Sequence, residues 1–166
     1  EHPHPVISAV NGPAAGVGCS LALAGDIVLC AESAYFLQAF RRIGLVPDGG
    51  STWLLARTIG RVRAMEMALF GDKVPAEKAL EWGMVNRIVA DDALMSTAME
   101  MAEKLATGPT VALSLARDLI WKACESDFDE AIYDERIAQR TAGRTDDFKE
   151  GVSAFLQKRP AEFKGK

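Results

Sequence analysis

Two short apolar runs, Val6-Ile7-Ser8-Ala9-Val10 and Asp26-Ile27-Val28-Leu29-Cys30-Ala31, flank a turn of small residues and an apolar stretch from Cys19 to Ala24. This order constrains the fold more than any other feature of the chain. Both runs are short and do not alternate polar with apolar, so each reads as a strand buried on both faces, the kind found in parallel sheets. Parallel neighbours need a crossover, and the stretch between them, closed by Gly25, is a short helix. The expected unit is βαβ.

Downstream, residues 34–37 read as a third strand and residues 38–43 as a link. Helices are expected over 52–59 and, after Gly60, over 61–70, where Val62, Met65 and Leu69 share one face. Val74-Pro75 to Gly83 carries Pro at the first helical position and Gly just past the end, and 84–89 reads as a final strand. Residues 91–106, 110–126, 128–141 and 145–158 read as helices, the last with a Thr145 cap and Asp146-Asp147 in its first turn. The fold class is therefore α/β, with a core over 1–89 and a helical region of the same domain over 90–166. Those closing helices have enough apolar positions to pack on their own domain or to form a subunit interface.

With 166 residues, 49% of them hydrophobic, the chain can bury one core. A net charge of -4 without a basic stripe speaks against nucleic acid as a partner. No apolar run reaches the roughly 18 residues of a membrane span. Cys19, Cys30 and Cys124 are odd in number and lack Cys-x-x-Cys spacing, so neither a disulfide framework nor a structural zinc is expected. A reducing cytoplasm fits these thiols. Glu1-His2-Pro3-His4-Pro5 has no initiator Met and runs straight into a central strand, so further sequence is expected upstream. His2 and His4, in this Pro-rich entry, read as exposed rather than catalytic.

The loop Leu45-Val46-Pro47-Asp48-Gly49-Gly50-Ser51-Thr52 sets one carboxylate on a sharp turn. Pro47 fixes its own φ, and Gly49-Gly50 allow the backbone to bend where a side chain would obstruct it. Asp48 is either the cap of the helix through Trp53-Leu54-Leu55 or an acid/base. Gly16-Val17-Gly18-Cys19-Ser20-Leu21 lacks the third Gly of a dinucleotide fingerprint, and no Gly-Lys-Ser/Thr follows. Ser20 and Ser51 have only His2 and His4 in the chain to activate them, which disfavours a Ser-His-Asp hydrolase. The backbone N–H groups of this small-residue turn can hold a phosphate or a developing oxyanion; close packing of helix on sheet explains the same residues.

Taken together, Ala9-Val10-Asn11-Gly12-x-Ala14-Ala15-Gly16-x-Gly18-Cys19, Leu21-Ala22-Leu23-Ala24-Gly25-Asp26-Ile27, Phe36, Gly44-Leu45-x-Pro47-Asp48-Gly49-Gly50 and Ala79-x-x-Trp82-Gly83-Met84-Val85 resemble the crotonase superfamily, also called enoyl-CoA hydratase/isomerase. Residues 150–159 look like its carboxy-terminal helix. The resemblance covers nearly the whole chain. It implies a partial spiral of ββα turns with a helical trimerisation region, an acyl-CoA thioester substrate, and a homotrimer or dimer of trimers. No metal or redox cofactor is implied, since coenzyme A is part of the substrate.

The same resemblance puts one oxyanion donor on the Val17 N–H and a second donor in a segment upstream. It sets Gly16, Gly18 and Gly49 around the acyl thioester, and Phe155 and Lys158 near the adenine and phosphate of coenzyme A; Lys158 reads equally as a solvated cation at a helix end. By residue type Phe40 reads as a wall of the acyl pocket, and Ser20 as either a contact to substrate or water or a small polar cap of the turn. Hydratases of the family carry two Glu where this chain has Ser20 and Phe40, so simple hydration is not expected. The Pro-Asp-Gly loop is most similar to the phenylacetate-pathway isomerase branch, in which the corresponding Asp is the acid/base. Phe40, Leu45 and Val46 are expected to shield Asp48 from solvent. Two alternatives stay open: a Δ3,Δ2-enoyl-CoA isomerase, and a non-catalytic acyl-CoA-binding module.

Overall fold

A computed structural model describes residues 3–166; Glu1 and His2, and with them the expectation for His2, lie outside the described residues. Contacts divide the chain into two units, Val6–Met99, and Glu100–Lys166 with the amino-terminal residues up to Pro5.

The first unit opens with β1 (Ile7–Val10), β2 (Pro13–Ala15), α1 (Val17–Leu23), β3 (Ile27–Ala31) and β4 (Tyr35–Leu37). β1 and β3 pair in parallel, Ile7 opposite Ile27 and Val10 opposite Cys30, so the expected βαβ unit is present. An additional strand lies inside it. Pro13-Ala14-Ala15, which reads as part of a turn, pairs in parallel with β4, Ala14 opposite Phe36. The repeat is thus ββα, and its two strands feed different sheets. β1 is half-buried along its length rather than buried on both faces.

A 3-10 turn over Ala39–Ile43 leads to the Asp48 loop, and α2 (Ser51–Thr58) and α3 (Gly60–Phe70) follow. Val62, Met65 and Leu69 on α3 are all more than half exposed, so this apolar face has no cover among the described residues. β5 (Val74–Pro75) pairs antiparallel with β4, Val74 opposite Phe36. Pro75 therefore ends a strand and caps α4 (Ala76–Glu81), one residue before the helical position expected for it. β6 (Arg87–Val89) adds in parallel to β3, giving sheet orders β1-β3-β6 and β2-β4-β5.

Phe36 sits at the centre of the second sheet and is fully buried, as are Leu29, Cys19 and Cys30; Leu55 and Met84 are nearly so. Removing this apolar surface from water is the main stabilising term, about 25 cal/mol per Å² buried.

After a 3-10 turn over Asp91–Ala93, α5 (Leu94–Ala106) starts in the first unit and ends in the second. The second unit continues with α6 (Thr110–Ala123), α7 (Phe128–Ala142) and α8 (Asp146–Gln157). Thr145 caps α8 by accepting the Phe148 N–H at 3.1 Å, as its place in the sequence implies. The segment after α8 folds back along it. Arg159 makes a bidentate pair with Glu150 at 2.6 and 2.8 Å, and the N–H groups of Lys164 and Gly165 donate to buried Asp147 at 2.7 and 2.9 Å. Among the described residues, no helix is long and apolar enough to cross a membrane.

Candidate functional site

The site is built on the end of β4 and the start of α1. Gly16, at φ 54 and ψ -123, takes a conformation that side chains resist, and its N–H donates to the Leu37 carbonyl at 2.8 Å. That bond anchors the turn to β4. Val17 opens α1, where the first N–H groups of a helix have no acceptor inside it. Phe40, buried at 9% exposure, lies over Gly16, with its ring 3.6 Å from where a β-carbon would stand. A β-carbon at Gly18 would meet nothing, so that side of the turn is open.

The Asp48 loop packs on this turn. Gly49 (φ 62) and Gly50 (φ 82) both take the left-handed conformation that their place after Pro47-Asp48 suggests. A β-carbon on Gly49 would stand 3.0 Å from Val17 Cγ2 and 3.3 Å from Ser20. Glycine lets the loop close to this distance, bringing Asp48 and Val17 into one neighbourhood.

Asp48 is not the cap of α2. Gly50 holds the cap position, and the helix start has no side-chain cap bond. Among the described residues the Asp48 carboxylate has no hydrogen-bond or ion-pair partner, while its backbone carbonyl has two: Ser20 Oγ at 3.0 Å and Ser51 N–H at 3.1 Å. The loop is held by its main chain, and the carboxylate is left exposed. The shielding expected of Leu45 and Val46 is corrected, because they are 59% and 79% exposed and cannot exclude water by covering Asp48. Of that trio only Phe40 is buried.

Ser20 takes the turn-holding one of its two readings: it is 1% exposed and bonded to the Asp48 carbonyl and to Ser51 Oγ, so its hydroxyl acts on the loop. Gln38, 1% exposed, and Ser51, 0% exposed, complete a buried polar cluster that sequence reasoning did not assign to the site. The one signal for Gln38 was a lone amide between the apolar pairs Phe36-Leu37 and Ala39-Phe40. Cys19, bonded to Gln38, is pushed up to about 11 by burial, which keeps it a protonated thiol rather than a nucleophile.

In the second unit, Phe155 is 82% exposed and lines an apolar cavity of about 430 Å³ with Val111, Phe148, Val152, Leu156 and Phe163. Lys158 closes α8 in the left-handed conformation, φ 53. The described residues contain no group of three or more His, Cys, Asp or Glu able to hold a metal. His4 is exposed.

Comparison with known proteins places these features in context. The family model for enoyl-CoA hydratase/isomerase matches residues 1–166. The chain is 52% identical over 164 residues to the 1,2-epoxyphenylacetyl-CoA isomerase of Escherichia coli (strain K12), covering 99% of this chain and 63% of that protein. It is 39% identical over 160 residues to a mitochondrial enoyl-CoA hydratase of Pongo abelii, covering 96% of this chain and 55% of the relative. The crystal structure of enoyl-CoA hydratase from Bacillus anthracis superposes with a TM-score of 0.95 at 36% identity, covering 99% of this chain and 64% of that one. The chain thus spans less than two thirds of the length of these relatives, and over that span it shares its fold with the Bacillus anthracis structure.

Proposed function

This chain belongs to the enoyl-CoA hydratase/isomerase family, and from that premise we propose that it serves an acyl-CoA isomerase acting through a thioester enolate, with 2-(1,2-epoxy-1,2-dihydrophenyl)acetyl-CoA as substrate. The observation that carries this reading is the docking of the Asp48 loop on the start of α1, with Gly49 against Val17 and the Asp48 carboxylate without a partner among the described residues. A proton acceptor and an open helical N–H then border one site.

In the proposed reaction the thioester oxygen accepts the Val17 N–H, which favours the charge that builds there when an α-proton leaves. Asp48 takes that proton. The C–H electron pair becomes the enolate, and the carboxylic acid returns the proton two carbons away. On a ring-derived acyl group, the enolate is the species from which the ring rearranges. Proton transfer alone conserves electrons, so the proposal assigns no metal or redox group, and coenzyme A enters as part of the substrate.

Isomerisation is preferred to hydration because Ser20 and Phe40 stand where the family's hydratases carry Glu. Neither a buried hydroxyl nor a benzene ring can serve as a carboxylate for activating water. The 52% likeness to the E. coli isomerase supports the ring-derived substrate over a linear 3-enoyl-CoA. We further assign Phe155 and Lys158 to the coenzyme A end of the substrate, a homotrimer or dimer of trimers to the assembly, and the cytoplasm to its location. The exposed apolar residues of α8 support the assembly, and the odd number of cysteines, Cys19, Cys30 and Cys124, without Cys-x-x-Cys spacing, supports the location.

The test is product analysis with the complete natural protein. Ring-derived and linear 3-enoyl thioesters are supplied separately, and the products are weighed by mass spectrometry. Products of unchanged mass with faster turnover of the ring substrate are expected. A product heavier by one water would overturn the isomerase reading, and faster turnover of the linear thioester would move the substrate assignment.

A further inference from the structure

We propose that Gln38, Ser51 and Ser20 form a directional hydrogen-bond chain that positions the Asp48 carboxylate by holding Asp48's own carbonyl. The inference rests on Asp48 being the acid/base. Its direction follows from counting protons, since a serine hydroxyl has one to donate. Ser20 Oγ uses its proton on the Asp48 carbonyl at 3.0 Å. In the 2.5 Å contact between Ser20 Oγ and Ser51 Oγ, Ser51 must therefore be the donor. With its proton committed, Ser51 Oγ accepts from Gln38 Nε2 at 3.2 Å and does not donate to Gln38 Oε1 at 3.4 Å. The chain runs from amide to hydroxyl to hydroxyl to carbonyl.

All three side chains are 1% exposed or less, so water does not compete for these bonds, and each bond polarises the next. The chain also gives the site a common origin. Leu37, the last residue of β4, accepts the Gly16 N–H and so fixes the turn that carries Val17. Gln38, the next residue, fixes the Asp48 loop through Ser51 and Ser20. One strand end thus sets both the oxyanion donor and the proton carrier, and the distance between them is indexed to two consecutive residues. Gln38, Ser51 and Ser20 are positioning residues: they act through Asp48 and touch no substrate.

The experiment follows uptake of deuterium into the α-carbon of phenylacetyl-CoA in heavy water, catalysed by the complete natural protein. This probe reads enolate formation alone. Asp48→Asn first shows that exchange depends on Asp48. Ser20→Ala and Ser51→Ala are each expected to lower the maximal exchange rate about tenfold or more while half-saturation moves by less than about twofold, because small misplacements of a reacting group cost rate rather than binding. Gln38→Met, at the far end, loses less. Combining Ser20→Ala with Asp48→Asn produces no loss beyond that of Asp48→Asn.

Full exchange in both serine variants, with exchange lost in Asp48→Asn, would remove this proposal and leave the Asp48 reading standing. Full exchange in Asp48→Asn would remove both. A loss of rate in the serine variants that tracks weaker thioester binding and a lower melting temperature would make the cluster merely structural. Ser51→Ala decides the matter if Ser20→Ala does not fold.

Discussion

Gly49 shows how narrow the tolerance at this site is. Its φ of 62 already disfavours any side chain, and a β-carbon would press on Val17 Cγ2 at 3.0 Å. Gly49→Ala is therefore expected to cost about 1–3 kcal/mol of stability. It should also lower turnover about tenfold or more by lifting the loop from α1. Thermal melts and steady-state rates on the same preparation check the two halves of the prediction. At this scale the sequence was informative where backbone rules are local: Pro47, Gly49 and Gly50 could be read from their types and order. Ser20, Ser51 and Gln38 could not, because their bonds join residues 31 and 13 positions apart, and nothing local marks which buried hydroxyl will meet which amide.

Among the elements, β4 carries the most. It is the central strand of its sheet, contributes fully buried Phe36, and ends at Leu37, which with the next residue, Gln38, anchors the site. Phe36→Ala is expected to destabilise the fold by about 3–5 kcal/mol, measured by denaturant unfolding. The βαβ unit and the helices were legible because apolar runs and Gly or Pro punctuation are properties of contiguous residues. β2 was not: Pro13-Ala14-Ala15 has no side-chain pattern, and it becomes a strand only because β4 offers it a backbone ladder.

The strap behind α8 makes a prediction of its own. Arg159 and the Glu162 N–H hold the Glu150 carboxyl at about 2, below its ordinary 4.5. A lowered carboxyl pKa adds stability above its unfolded value, and this is lost as pH falls towards the folded one. Amide protection of residues 159–166 should thus decline as pH drops from about 4.5 to about 2, and Glu150→Gln should flatten that decline.

For the molecule as a whole, apolar residues left open on α8, with Phe155 at 82% and Leu156 at 74% exposed, support self-association of the complete natural protein. Sedimentation is expected to show a trimer or hexamer that Phe155→Glu weakens, and a monomer at all concentrations would contradict it. The family could be read from ordered motifs spread along the chain, whereas the openness of Leu45 and Val46 could not, because cover depends on what packs there and not on residue type. In the proposed reaction a single carboxylate carries the proton. The most direct test is the isomerisation rate of Asp48→Asn in the complete natural protein at saturating 2-(1,2-epoxy-1,2-dihydrophenyl)acetyl-CoA. The rate is expected to fall about 10²–10⁴-fold with the fold intact, the range for loss of a general acid/base, and a near-normal rate would remove Asp48 from the mechanism.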